Sequence, residues 1–175
     1  MRLHISHKTH YAYDQPVPYG LQQVRLTPKS CATQSIQNWT IEIEGGRAEC
    51  AFDDQHGNWV QLIGLDAGQR EISITCSGNV DTLPTNGVVG PHSGFAPLWY
   101  FKRQTPLTKP GKLIRKLAYV ADVGWIGFDV SNVISPDERY VRVATGLDYD
   151  EAAPISGIVF GGAAESLLVS LQVQQ

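Results

Sequence analysis

The side chains able to do chemistry are few, and most sit in runs that read as strands. Cys31, Cys50 and Cys76 are the possible thiol nucleophiles. A catalytic thiol needs a lowered pKa, commonly from a helix N-terminus or a partner imidazole. Cys50 and Cys76 fall inside apolar alternating runs, where a thiol behaves as a small hydrophobe. Cys31 falls in a loop between two such runs, with no helix behind it. An odd number of cysteines without C-x-x-C spacing argues against a disulfide framework and a structural zinc site. A Cys50–Cys76 pair remains open if their strands are adjacent.

His4, His7 and His10 resemble a metal-binding cluster by count. On a strand, however, His4 and His10 point one way and His7 the other, with His4 and His10 about 20 Å apart at ~3.3 Å per residue. Three such ligands cannot converge on one ion unless the segment is helical, which its alternation opposes. The run Asp53-Asp54-Gln55-His56-Gly57-Asn58 could offer carboxylates to a cation, but Asp, Gly and Asn are also what a tight connection requires. Gly161-Gly162 has neither a G-x-G-x-x-G pattern nor a Walker lysine, so it indicates no nucleotide site. The expectation is therefore no metal and no cofactor. Asp129 closes the apolar run Gly124-Trp125-Ile126-Gly127-Phe128. A carboxylate there can orient an imidazole through its Nδ1 hydrogen. Ser131 and Asn132 support the plainer reading of a turn.

The elements that would hold these residues are mainly period-two. From Leu3 to Tyr13 the odd positions are Leu3, Ile5, His7, Thr9, Tyr11 and Tyr13, the pattern of a half-buried strand. Asp14 to Pro18 is expected to end it, because proline cannot donate to a ladder. Further strands are expected over 21–27, 36–44, 47–52, 59–65 and 70–80, with 47–52 and 59–65 forming a hairpin. Five prolines between residues 81 and 111 mark a long irregular connector, with Leu98, Trp99, Tyr100 and Phe101 expected to pin it to the core. A short helix is expected over 112–121, with Leu113, Ile114, Leu117 and Val120 on one face. The tail returns to strands over 125–130, 140–144 and 155–160, and to an alternation of Leu167, Val169, Leu171 and Val173.

The fold class that follows is mainly β: an antiparallel β-sandwich of about seven strands, one short helix and additional C-terminal strands. Its parts are a sandwich over 1–83, a Pro-rich connector over 84–111, and the helix with C-terminal strands over 112–175. The 175 residues are 42% apolar and 18% charged, enough apolar material to fold. A net charge of −3 leaves no cationic surplus for a phosphate backbone, so nucleic-acid binding is not expected. No run approaches the ~20 apolar residues of a membrane span. No apolar stretch follows Met1-Arg2, so a cytoplasmic location is expected.

Several of these segments, in order, resemble bacterial transglutaminase-like proteins, of the papain-like superfamily of cysteine proteases and amidases. They are Thr9-His10-Tyr11-Ala12-Tyr13-Asp14-Gln15-Pro16-Val17, Arg25-Leu26-Thr27-Pro28 and the hairpin from Phe52-Asp53 to His56-Gly57-Asn58. Near the other end they are Gly124 to Asp129, Asp137 to Ala144, and Gly146-Leu147-Asp148-Tyr149 to Ala153-Pro154-Ile155-Ser156-Gly157. The resemblance implies a catalytic core between the two parts, with a cysteine in a Gly-x-Cys-x-Asp-like run and a histidine in a His-Ala-Trp-like strand. Neither run is present. The junction falls near Leu117 or Ala118, as if about 100 residues, the size of a small domain, had been removed. Asp129 corresponds to the third catalytic position, whose role is to hold the histidine.

Loss of nucleophile and base would cost orders of magnitude in rate. The residues thus imply no enzyme in this chain, but a non-catalytic β-sandwich module for self-association or a protein partner. Orphaned C-terminal strands would favour a homo-oligomer. The alternatives are a cysteine-dependent protease, amidase or acyl transferase in which Asp129 meets one of the three cysteines and a histidine, and a metal-binding module built on the N-terminal histidines.

Overall fold

A computed structural model of the chain describes residues 1–92, 95–109, 123–129 and 131–175. Ten strands are described: β1 Arg2–Val17, β2 Tyr19–Thr27, β3 Gln34–Glu44, β4 Gly46–Asp53, β5 Trp59–Leu65, β6 Gln69–Thr82, β7 Val88–Gly90, β8 Trp125–Ile126, β9 Ile155–Phe160 and β10 Glu165–Gln174. A 3-10 turn spans Tyr100–Lys102 and a one-turn helix, α1, spans Tyr149–Ala152. Two four-stranded antiparallel sheets, β10-β1-β6-β3 and β4-β5-β2-β9, form the sandwich, and β7 and β8 make a small separate ribbon.

Alternation decides which side of each strand is buried. Leu3, Ile5, Thr9, Tyr11 and Tyr13 of β1 point inward, as do Ile72, Ile74, Cys76 and Val80 of β6. From the opposite sheet Val24 and Leu26 of β2 and Ile63 and Leu65 of β5 close on Tyr11, Tyr13, Ile72, Ile74 and Cys76 in one cluster. Ile63, Ile72, Ile74, Val17, Val24 and Val60 are fully buried. The chain crosses between sheets at Gly45-Gly46. Gly45 has φ +82°, and a Cβ there would lie 2.3 Å from the Glu71 carbonyl oxygen, so glycine is required.

The structure revises several expectations. Residues 1–83 contribute six strands to the sandwich, not seven, and β9 and β10 from the C-terminal stretch complete it at one edge of each sheet. β1 continues to Val17 through Pro16, because its ladder with β6 breaks between Ala12 and Val17 and asks no hydrogen bond of the proline. The strand expected over 125–130 is reduced to Trp125–Ile126. Beyond it the Gly127 amide bonds Gly87, and an isolated bridge joins Asp129 to Ile134. Residues 140–144 form no strand, although Val141 and Val143 pack against the core. Leu98 and Trp99 are exposed, and it is Tyr100 and Phe101 that anchor the connector by packing on His56. The helix expected over 112–121, with the junction near Leu117 and Ala118, lies outside the described residues, as does Val130. The described α-helix, at Tyr149–Ala152, starts where Asp148 accepts from the amides of Asp150 and Glu151.

Candidate functional site

Asp129 follows β8 at the start of a turn, and the turn chemistry occupies its carboxylate. Oδ1 accepts from the amides of Ser131 at 2.9 Å and Asn132 at 3.0 Å. Oδ2 accepts from Asn132 Nδ2 at 2.7 Å and from the Tyr140 hydroxyl at 2.8 Å. The bonds from Asn132, then Tyr140, hold its carboxyl down at about 2. Among the described residues, no cysteine or histidine hydrogen-bonds to Asp129.

The cysteines are dispersed. Cys76 is buried at the centre of β6, between His7 and Ile41 of the flanking strands, and burial pushes its thiol up to about 12. Cys50 is exposed on β4, in the other sheet, and both thiols are free. Cys31 lies in the β2–β3 loop with Sγ 3.3 Å from Thr33 Oγ1. Burial raises its pKa, but hydrogen bonds from Thr33 and the charge of Arg142 outweigh burial and leave it below the ordinary thiol value.

The N-terminal histidines alternate across β1. His4 Nδ1 lies 3.1 Å from Asn79 Oδ1 and His10 Nδ1 lies 2.8 Å from Ser73 Oγ. His7 falls on the other face, beside Cys76, and burial lowers its pKa. Among the described residues, no group of three or more His, Cys, Asp or Glu side chains is placed to hold a metal ion.

The densest polar site is one in which the loop 53–58 and the strand β2 grip the C-terminal stretch. Asp54 and Arg25 face each other with side chains 5% and 9% exposed, the Arg25 Nε donating to Asp54 Oδ2 at 3.2 Å. Asp54 also accepts from the amides of His56 and Asn58 and from Asn58 Nδ2, each at 2.9 Å. Burial raises the Asp54 pKa, but the bonds from Asn58, His56 and Arg25 prevail and hold it below the ordinary carboxylate value. Asn58 reaches onward: Nδ2 donates to the Thr145 carbonyl at 2.7 Å and Oδ1 accepts from the Thr145 amide at 2.8 Å.

His56, with its ring fully buried, places Nε2 2.6 Å from Glu151 Oε2. That same oxygen accepts from the Leu147 amide at 2.9 Å. Tyr100 and Phe101 cover the imidazole at centroid distances of 5.7 and 5.8 Å. Gln34 repeats the Asn58 arrangement further along, its Nε2 donating to the Arg142 carbonyl and its Oε1 accepting from the Arg142 amide, each at 2.8 Å.

The loop 53–58 is thus a turn whose carboxylate organises its own backbone, as the composition of the connection suggested. The roles of Arg25, Gln34, His56 and Glu151 were not read from the sequence. The one local signal was Asp54 placed four residues before Asn58, a spacing suited to an Asx-type turn.

The described residues form a two-sheet antiparallel sandwich with an internally bonded 53–58 hairpin, and comparison with known proteins shows what it is similar to. Residues 3–81 match the bacterial transglutaminase-like N-terminal region. The match covers less than half of the chain and takes in the segments Thr9–Val17, Arg25–Pro28 and Phe52–Asn58 that carry the resemblance to transglutaminase-like proteins. "Uncharacterized protein ML0607" of Mycobacterium leprae (strain TN) is 28% identical over 81 residues, which span 46% of this chain and 29% of that protein. A crystal structure described as "a Putative Cysteine Protease from Cytophaga hutchinsonii" superposes with a TM-score of 0.59 at 12% identity. The superposition covers 100% of this chain and 91% of that one, and at this identity the likeness is one of fold.

Proposed function

We propose that the chain is a non-catalytic β-sandwich module of the transglutaminase-like family that works by association, with itself or with a protein partner. The observation that carries this reading is the state of Asp129. At the position that would hold a catalytic histidine, both carboxylate oxygens are taken by Ser131, Asn132 and Tyr140. The thiols support it, since Cys76 is buried in the core and pushed up to about 12, and Cys50 is on the outside of the other sheet. His56 supports it too, because its Nε2 is committed to Glu151 under two aromatic rings. No helix among the described residues is long and apolar enough to cross a membrane.

The test is incubation of the full chain with a glutamine peptide and a primary amine, and separately with a thiol-directed amide probe. The expected result is no amide exchange, no peptide hydrolysis, and labelling no faster than that of a free thiol. Turnover that disappears in Cys31→Ser or Cys50→Ser and in Asp129→Ala would establish a cysteine-dependent acyl transferase or hydrolase instead.

A further inference from the structure

Among the described residues β10 is an edge strand, with β1 as its one neighbour. All ten of its residues are exposed. Its register with β1 sets Leu167 beside Tyr11, Val169 beside Thr9, Leu171 beside His7 and Val173 beside Ile5. Tyr11, Thr9 and Ile5 are buried, so the four aliphatic residues of β10 occupy the core-facing side of the sheet. They nevertheless remain 50–61% exposed, because the opposite sheet ends at β9 and leaves this stripe uncovered.

The other three edges carry the usual guards against strand addition. β3 has Glu42 and Glu44 and a register shift between Ile36 and Asn38. β4 has Arg47 and Glu49 and a shift between Ala48 and Cys50. β9 is six residues long and contains Gly157. β10 has no proline, no lysine and no register shift, and its one charged residue, Glu165, is at the end.

We infer that β10 pairs antiparallel with β10 of a second copy of this chain, about a two-fold axis at Ser170, joining the two β1-containing sheets into one. This names the partner of the association proposed above and rests on that reading. The strand is self-complementary in this register. Leu167 falls opposite Val173 of the second copy and Val169 opposite Leu171, twice over by symmetry, so the aliphatic stripe continues unbroken. On the other side Ser170 meets Ser170 and Leu168 meets Gln172. Glu165 falls opposite Gln175, so no like charges are opposed.

The nearest cation, Lys8, neighbours Ser170 on β1. The two copies of Lys8 stand three strand spacings apart, roughly 14 Å, which exceeds the Debye length at physiological salt. An edge of ten residues on each side buries on the order of 1,000 Å² in all, the lower end for a specific interface. Association is therefore expected in the micromolar range.

Light scattering and sedimentation velocity of the full chain across micromolar concentrations should show a reversible dimer. Val169→Lys, which sets a lysine against the aliphatic stripe twice per dimer, should weaken association by about tenfold or more. The register has its own reading. In a Cys31→Ser/Cys50→Ser background, Ser170→Cys should give an interchain disulfide on mild oxidation, while Ser166→Cys, which faces Gln174, should not. This second readout stands if Val169→Lys fails to fold. A wild-type monomer throughout overturns the inference, as does a dimer that crosslinks equally at 166 and 170. A monomer inert toward the glutamine peptide would refute the dimer alone, whereas a dimer that turns the peptide over would refute the module reading alone.

Discussion

Asn58 ties the loop 53–58 to the C-terminal stretch at Thr145. Its amide group behaves like a peptide unit of an absent neighbouring strand. It donates to the Thr145 carbonyl and accepts from the Thr145 amide, and it makes a further donation to Asp54. Asn58→Ala removes all three bonds and leaves both backbone groups of Thr145 without their partner. At about 1 kcal/mol net per bond the loss is about 3 kcal/mol. Thr145 is half-buried, so water recovers part of this, and about 2 kcal/mol is the lower edge of the expectation.

Equilibrium urea denaturation, with the slope checked for constancy, measures this loss directly. Asn58→Asp sharpens the test because it keeps the shape and the acceptor toward the Thr145 amide. It replaces a donor with an acceptor facing Asp54 and the Thr145 carbonyl. The introduced carboxyl should have a raised pKa in the folded state. Its penalty is therefore full at pH above that value and shrinks as pH falls through it, when the protonated oxygen donates again. A stability loss under about 0.5 kcal/mol for Asn58→Ala, or a penalty for Asn58→Asp that does not lessen on acidification, would refute the reasoning.

Two further outcomes follow from the same geometry. NMR titration should place the Asp129 carboxyl at about 2 instead of its ordinary 3.8, and Asn132→Ala should move it upward, because the Asn132 side chain is its first donor. A depressed carboxylate contributes to stability above its unfolded pKa, so the Asp129 share is lost only as pH falls below 3.8 and through about 2. Alkylation of the native chain should label Cys50 readily and Cys31 more slowly, and should spare Cys76 until the chain is denatured. Labelling of Cys76 at the rate of Cys50 without denaturant would contradict its place in the core.

The sandwich was legible where burial is written in alternation. Leu3 to Tyr13 announces which face of β1 is inside, because one residue in two meets the core, and the Leu167 to Val173 alternation announces β10, whose aliphatic residues lie on the core-facing side of the sheet but stay exposed. The same rule misleads at residues 140–144. Tyr140, Val141, Arg142 and Val143 alternate like a strand, and Val141 and Val143 do turn inward. Yet among the described residues no strand pairs with them. The partners of Arg142 and Thr145 are the side-chain amides of Gln34 and Asn58, each supplying one donor and one acceptor. A side chain standing in for a strand leaves no periodic trace, because its partner is 87 or 108 residues away in the chain. The His56–Glu151 contact, spanning 95 residues, was hidden for the same reason.

These long-range pairs also explain why the core does not close within the N-terminal part of the chain. Val141 and Val143 seal it on one flank, and Ile155 and Val159 of β9 pack against it from the sheet edge. Arg25 donates its amide to the Pro154 carbonyl, and the Thr82 hydroxyl donates to the Glu138 carbonyl. Residues 138–145 thus line one flank of the sandwich, held by the side chains of Thr82, Gln34 and Asn58 where a sheet would ordinarily use backbone, and β9 continues that flank through its backbone ladder with β2. β10 extends a sheet beyond the reach of that flank. An aliphatic stripe placed outside its own core, on an edge strand whose one charge lies at its end, is the feature that the internal packing leaves unsatisfied, and pairing with a second copy would satisfy it with the same residues in the same order.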